Sequence, residues 1–390
     1  MTVMTAPDAA TIGGGNRAGE RRRQGPQRRH SRHAISNLAL ALVLVTLCGP
    51  LAAWAAERLP AYGVDISQTS VSGISSGAYM AVQFHVAYSS TVVGAGVLAG
   101  GPYHCAEGSL WTALRRCMRR QSEMPAAEVA RLKADAEAQA RDGKIDPVAQ
   151  LAKSRVWTFS GTQDRVVSPA VVTAVRSFYS GYVDASRLRH VGTVPAVHGM
   201  VTRGYGAACS SMQRPFINDC DFDAAGELLT HIYGTLRPSG TKEQGTVIAF
   251  DQDEFADGGA YRHSMADQGY AYVPRSCESA ACRVHVVFHG CLQQADAIGD
   301  EFVRHAGYNR WADTNHLIVL YPQTAARYGW TPGRHGGFVF NPVACWDWWG
   351  YDSPEYDTQA GPQIKAVRAM LDRLAGPRMQ DAPKDTNANP

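Results

Sequence analysis

The chain has 390 residues, 45% hydrophobic and 19% charged, which fits a packed globular protein of one or two domains and excludes a disordered one. Its formal net charge of +3 is uneven: up to residue 56 seven Arg face only Asp8 and Glu20, a net +5, which leaves −2 for the rest. The body of the chain is nearly neutral and carries no basic stripe, which argues against a nucleic-acid partner.

The first predicted element is an export signal over residues 1–56. An Arg-rich stretch (RRRQGPQRRHSR) precedes the apolar run LALALVLVTL, from Leu38 to Leu47. Gly49, Pro50 and the small-x-small site Ala53-Trp54-Ala55 follow, the order of a cleavable signal peptide. Cleavage is expected near residue 55 or 56. The competing reading is an uncleaved anchor over residues 36–56, which Gly49-Pro50 interrupts. The expected location is therefore exported, periplasmic or extracellular, with no stable membrane partner.

Residues 57–376 read as one domain and 377–390 as a disordered tail. Within the domain, TVVGAGVLAG (91–100) and RVWTFSG (155–161) read as buried strands. GTVIAFDQ (245–252) and GYAYVPRS (269–276) resemble an antiparallel pair, and RVHVVFHG (283–290) and HLIVLYP (316–322) are further strands. Helical patterns lie between them, over 77–88, 125–141, 169–181, 295–314 and 358–374. Residues 105–150 form a possible cap. Strands alternating with helices argue for an α/β protein with a mostly parallel sheet, whose reactive groups collect beyond the strands' carboxyl ends.

Outside the signal stand eight cysteines: Cys105, Cys117, Cys209, Cys220, Cys277, Cys282, Cys291 and Cys345. An even number in an exported chain suggests disulfides, and no C-x-x-C spacing points to a metal. Pairing each with its neighbour in sequence is the simplest of many arrangements.

Residues 73–77, Gly-Ile-Ser-Ser-Gly, fit G-x-S-x-G with Ser75 at the centre. In that motif a sharp strand-to-helix turn projects the central serine from the sheet, and the next residue's N–H, here that of Ser76, helps bind an oxyanion. A serine nucleophile needs a base, and the base needs an orienting carboxylate. Asp164 follows the strand at 155–161, and His198 precedes Gly199 on a loop. The order Ser, acid, His is that of α/β hydrolases. His85, His190 and His231 fit structural roles better. A second oxyanion donor normally comes from a His-Gly segment well upstream of the serine. Here His289-Gly290-Cys291 lies far downstream, preceded by the antiparallel pair that usually opens such a sheet. Circular permutation explains both displacements and makes the N–H of Cys291 the second donor.

These segments resemble the catalytic domain of poly(3-hydroxybutyrate) depolymerases with a circularly permuted α/β-hydrolase fold. VSGISSGAYMAVQFHVAYS, GTQDRVV, AVHGMVT, VVFHGCLQQ and NPVACWDWWGY carry the resemblance over nearly all of residues 62–375. It implies a disulfide-stabilised serine esterase with Ser75 as nucleophile, Asp164 as orienting acid, His198 as base and the amides of Ser76 and Cys291 as oxyanion hole. A Cys291–Cys345 disulfide would tie that hole to the Trp-rich loop. No metal or organic cofactor is expected. The partner is a polyester polymer or oligomer, and the enzyme a monomer. Trp330, Trp346, Trp348 and Trp349 suit the walls of an apolar polyester site, with Trp346 the first choice because it follows Cys345; core packing is the competing role. Secreted members often carry a linker and a polymer-binding domain after the catalytic one. Here the last predicted helix ends at Leu374, so amorphous polymer or soluble oligomers come into question as substrate. Two other readings stand beside this one: a carbohydrate (acetyl or feruloyl) esterase with the same machinery, and a non-catalytic polymer- or granule-binding protein with the same fold.

Overall fold

Why the site lies where it does follows from which runs become strands. The structure, a computed structural model, describes residues 57–330 and 337–378. The expected signal at 1–56 and the tail from residue 379 lie outside the described residues. In chain order, β1 (Thr69–Ile74) leads into α1 (Ser76–Ala87), and β2 (Val92–Leu98) into α2 (Leu110–Arg116) and α3 (Ala126–Arg141). β3 (Arg155–Phe159), α4 (Pro169–Tyr179) and β4 (Leu188–Val191) follow. The short strands β5 (Met200–Thr202), β6 (Ala207–Ala208) and β7 (Ile217–Asp219) form a small separate sheet before α5 (Ala224–Tyr233). Then come β8 (Thr246–Asp251), β9 (Gln268–Val273) and β10 (Arg283–Phe288). α6 (Ala295–Ile298), α7 (Glu301–His305) and α8 (Asn309–Asn315) precede β11 (Leu317–Tyr321). A hairpin of β12 (Arg327–Trp330) and β13 (Phe338–Asn341) precedes α9 (Pro362–Ala375).

The main sheet has eight strands in the order β4-β3-β2-β1-β10-β11-β9-β8. From β4 to β11 every pairing is parallel, and β9 and β8 join antiparallel. Counted as if the chain began at β8, the order reads 1-2-4-3-5-6-7-8, and β1 is the fifth strand. That is the order expected of the permuted sheet, with the antiparallel pair β8 and β9 placed late in the chain, just before β10. The new entry to the domain is pinned beside its exit: the N–H groups of Tyr62 and Val64 donate to Leu374 O at 3.0 and 3.2 Å.

Helices cover both faces. One core gathers Val82 and Phe84 of α1, Leu132 of α3, Phe178 of α4 and Met370 of α9; the other gathers Leu228 of α5, Phe302 of α7 and Ala312 of α8. β10 serves both by alternation, with Val286 and Phe288 in the first core and Val287 in the second. α1 is buried on every side, as a short helix of small and apolar residues can be. Two of its polar side chains are satisfied inside the protein: Gln83 Nε2 donates to Asp347 O at 3.0 Å, and His85 bonds Tyr179 Oη at 2.9 Å and Ser154 Oγ at 2.8 Å.

Two expectations change. The single helix over 295–314 is three pieces, broken at Gly299 (φ 64°) and Gly307 (φ 95°), where the backbone enters a region that halts an α-helix. The suggested cap at 105–150 divides. Leu110, Leu114 and Met118 reach the cavity described below, whereas α3 packs its Val129, Leu132 and Ala136 into the helical layer. No helix among the described residues is long and apolar enough to cross a membrane.

Candidate active site

β1 ends at a tight elbow whose glycines are demanded by close approach. A Cβ on Gly73 would lie 2.2 Å from Gly77 O, and one on Gly77 would lie 2.2 Å from Phe288 O and 2.4 Å from His289 O. Without those side chains α1 seats directly on the end of β10. Ser75 sits at the turn with φ 56° and ψ −125°, strained for a residue with a side chain, and its N–H donates to Leu98 O at 3.0 Å. Its carbonyl accepts from Ala78 N at 2.8 Å and Tyr79 N at 3.1 Å. The N–H of Ser76 in the same peptide unit is given to no acceptor among the described residues. The Ser76 hydroxyl is buried without a partner.

Asp164 stands on the turn after β3, its carboxylate almost wholly buried. Oδ1 accepts from the N–H groups of Val166 at 2.8 Å and Val167 at 3.0 Å. Oδ2 accepts from His198 Nδ1 at 2.8 Å, which leaves Nε2 of that ring as the free nitrogen. The two loops run side by side, with Thr162 N on Val194 O at 2.9 Å and Gln163 N on Ala196 O at 3.1 Å. Val197 N donates to Cys209 O, and the Cys209–Cys220 disulfide closes that brace. Ser75 and His198 line one cavity without a hydrogen bond between them; such bonds commonly tighten only when substrate is bound.

The third wall follows β10. Cys291 is disulfide-bonded to Cys345, Leu292 N donates to Val343 O at 2.8 Å, and Gln293 Oε1 accepts from Gly290 N at 2.8 Å. The N–H of Cys291, like that of Ser76, meets no acceptor among the described residues. The other disulfides are Cys105–Cys117, which ties down the α2 loop, and Cys277–Cys282 at the start of β10.

The cavity holds about 450 Å³ and is almost entirely apolar. Around Ser75 and His198 stand Tyr79, Leu110, Leu114, Met118, Val166, Val167, Met212, Phe216, Phe340, Trp348 and Trp349. Trp348 stacks on Tyr79 with ring centroids 4.0 Å apart. The four sequence-predicted tryptophans thus separate. Trp348 and Trp349 are walls. Trp346 is not: it is fully buried, its Nε1–H donates to His289 O at 3.1 Å, and it packs edge-on against Phe288. Trp330 is not a cavity wall either. It is 81% exposed on β12, on one face of the hairpin with Tyr328, Phe338 and Phe340. Between Trp346 and Trp348, the buried carboxylate of Asp347 organises the loop by accepting from the N–H groups of Gly350, Tyr351, Asp352 and Ser353. Burial pushes this carboxyl up to about 7, against the downward pull of those amides.

Most of the apolar wall is invisible to motif reading, since Leu110, Met212 and Phe340 come from three distant loops. Tyr79 carried a signal: it stands four residues after Ser75, one turn along the helix that Ser75 caps. Among the described residues no cluster of three or more His, Cys, Asp or Glu could hold a metal.

A nucleophile-type serine on a strained elbow, a histidine held by a buried carboxylate, two uncommitted amides and an apolar cavity together suit acyl transfer from an ester. No family model matches the chain. It is 45% identical over 358 residues to a poly(3-hydroxybutyrate) depolymerase of Delftia acidovorans, covering 90% of this chain and 68% of that one. It is 39% identical over 329 residues to a polyhydroxybutyrate depolymerase of Talaromyces funiculosus, covering 82% and 93%. The fold matches a crystal structure of a PHB depolymerase from Penicillium funiculosum with a TM-score of 0.73 and 35% identity, over 82% of this chain and 98% of that one. A serine-to-alanine variant of a PHB depolymerase complexed with an R3HB trimer matches at 34% identity with the same TM-score and coverage.

Proposed function

The chain belongs to the poly(3-hydroxybutyrate) depolymerase family, and from that premise we propose that Ser75, Asp164 and His198 carry its chemistry. The enzyme is a carboxylic ester hydrolase that cleaves the ester bonds of poly(3-hydroxybutyrate). In the proposed mechanism His198 Nε2 takes the Ser75 proton as Oγ attacks the polymer carbonyl. Asp164 keeps the proton of the imidazole on Nδ1 and stabilises the imidazolium. The oxyanion rests on the N–H groups of Ser76 and Cys291. The imidazolium protonates the departing hydroxyl end, and water activated by the same ring releases the 3-hydroxyacyl group. The observation that carries the assignment is the 2.8 Å bond from His198 Nδ1 to Asp164 Oδ2, on the cavity that Ser75 also lines.

The apolar lining supports a methyl-bearing polyester over a sugar ester, because it offers rings and aliphatic surface where a sugar's hydroxyls need partners. In this reading Trp348 and Trp349 wall the ester unit. Trp330, with Tyr328 and Phe338, meets polymer outside the cavity, on the hairpin face that Phe340 extends to the mouth. Residues 1–56 as an export signal and 57–376 as one catalytic, monomeric domain belong to the same proposal. The four disulfides suit an oxidising setting, and periplasm or medium is the proposed site of action.

Product release from amorphous polyhydroxybutyrate, compared with acetylated xylan, tests the substrate. Hydroxybutyrate units from the first and no acetate from the second are expected; the reverse would overturn it. Trp330→Ala with Phe338→Ala should slow release from polymer particles and leave turnover of a soluble short-chain ester unchanged. Equal release from particles would remove the hairpin from the account.

A further inference from the structure

Along one side of α1, four residues apart, stand Ser75 at the cap, Tyr79 and Gln83. Ser75 and Tyr79 line the cavity, whereas Gln83 is buried behind it. The Gln83 carboxamide donates from Nε2 to two carbonyls, Asp347 O at 3.0 Å and Tyr356 O at 3.3 Å. A carbonyl only accepts, so the nitrogen of the amide faces both. One side chain of the nucleophile helix thereby closes the loop that bears Trp348 and Trp349. From the other flank Gln363 Oε1 of α9 accepts from Asp347 N at 2.8 Å. The backbone of Asp347 is thus held at both its N–H and its carbonyl, immediately before Trp348. That ring lies on Tyr79 with the two planes 18° apart, and Trp349 meets it edge-on at 5.3 Å between centroids.

We propose that Gln83 is a positioning residue for substrate binding, its carboxamide setting the Trp348 ring relative to Ser75 through the helix they share. A helix is a stiff ruler: at 1.5 Å per residue Gln83 stands roughly 12 Å along the axis from Ser75. Nucleophile, Tyr79 and the grip on Asp347 therefore move as one body. The stack on Tyr79 does not fix the ring alone, because offset aromatic faces slide over one another at little cost. Two directional hydrogen bonds to the adjoining backbone do fix it. The residue type points the same way. An apolar side chain would fill this buried place in a helix of small and apolar neighbours, and a glutamine is tolerated there only with its amide partnered. The Trp348 ring touches bound hydroxyacyl units whether or not their carbonyl has been attacked. Misplacing it weakens binding rather than the chemical step.

The inference rests on the reading of Trp348 as a wall of the ester unit. The test compares wild type, Gln83→Met, Trp348→Ala and the double variant on two substrates. One is a soluble hydroxybutyrate trimer; the other is methyl acetate, which offers the ring almost no surface. Met matches Gln in length and helix propensity but has no N–H to donate. Folded Gln83→Met should raise KM for the trimer roughly fivefold or more, with kcat within about twofold of wild type. Its loss in kcat/KM on the trimer should exceed that on methyl acetate by a similar factor. In the Trp348→Ala background Gln83→Met should add less than about twofold, because the ring it places is gone. A trimer KM within about twofold of wild type, equal losses on both substrates, or losses that multiply in the double variant would make Gln83 a packing residue and overturn the proposal. If Trp348→Ala leaves the trimer KM unchanged, the wall reading fails and takes the inference with it, a distinct outcome. Should Gln83→Met not fold, Gln83→Glu keeps the shape, sets an oxygen against the two carbonyls and is judged by the same results. Failure of both to fold would assign Gln83 to the fold alone and also overturn the proposal.

Discussion

The Ser76 amide and the Cys291 amide have the same proposed task and are held by different means. Ser76 N–H opens helix α1, and its peptide's carbonyl is taken by the helix's own next turn, at Ala78 and Tyr79. Regular secondary structure aims it. Cys291 N–H lies on a loop, and its peptide's carbonyl, that of Gly290, is bonded by Gln293 N at 3.2 Å and the His289 imidazole at 2.7 Å. A disulfide ties Cys291 to a residue 54 positions away, and behind them the Trp346 indole holds the His289 carbonyl. The first donor is local and comes with the motif. The second is assembled from β10, the stretch around Thr324, whose N–H meets the His289 ring, and the Trp-rich loop, and depends on all three.

The two halves touch at Gly77, so the largest effect is expected there. Gly77→Ala would drive a Cβ to 2.2 Å from Phe288 O and 2.4 Å from His289 O, backbone against backbone. The expected cost is roughly 3 kcal/mol or more, with activity lost along with the fold. Denaturant unfolding checks it; wild-type stability would show that the elbow has room the geometry denies. Next, Cys291→Ala with Cys345→Ala releases only the assembled half. Closing a loop of this length contributes about 2–4 kcal/mol, and kcat should fall while α1 and its amide stay intact. Calorimetry and ester kinetics measure both; unchanged kcat in the folded pair would mean the loop holds its aim without the disulfide.

Acid should loosen both halves. His85 in α1 lies on one side, His285 of β10 bonds across to Ser70 and Ser72 of the nucleophile strand, and His289 lies on the other side. Burial lowers their pKa values to about 3, about 3 and about 4. In the unfolded chain each takes a proton near pH ~6.5. Their contribution to stability is therefore complete above that value and is lost as pH falls toward 4 and 3. Asp347, its carboxyl raised to about 7, works the other way as pH falls, so melting temperature should drop between about pH 6.5 and 4 by the surplus of three rings over one carboxyl; a flat or rising profile there would contradict the buried neutral assignment. The smallest effect belongs to Ser76→Ala. That hydroxyl has no partner, so the amide keeps its aim and kcat should stay within about twofold of wild type. A large loss would give the side chain a role the structure does not.

Legibility in the sequence follows the same division. Strand, elbow and helix around Ser75 occupy one contiguous stretch whose glycines announce a close approach, so the motif and its geometry coincide. The displaced His-Gly-Cys segment was readable because a parallel, β-branched run precedes it, and the strand order agrees. The tryptophans were not separable that way. Trp346, Trp348 and Trp349 stand within four positions, yet their burial is set by how Asp347 turns the loop through four amides. Adjacency to Cys345 drew Trp346 toward the substrate, when it points into the core. α5 carried usable signs that went unread: Asp223 caps its first turn through Gly226 N at 2.8 Å, and its apolar residues recur at helical spacing. The cavity's aliphatic wall had no such sign, because residues such as Met212 and Phe340 meet only through tertiary structure.

The central claim is that Ser75 attacks the polymer ester. Release of hydroxybutyrate units from amorphous poly(3-hydroxybutyrate), measured for the wild-type chain and for folded Ser75→Ala, tests it most directly. The account predicts that the substitution lowers release by about 10⁴-fold or more while polymer binding persists. Release within about tenfold of wild type would contradict it and place the nucleophile elsewhere.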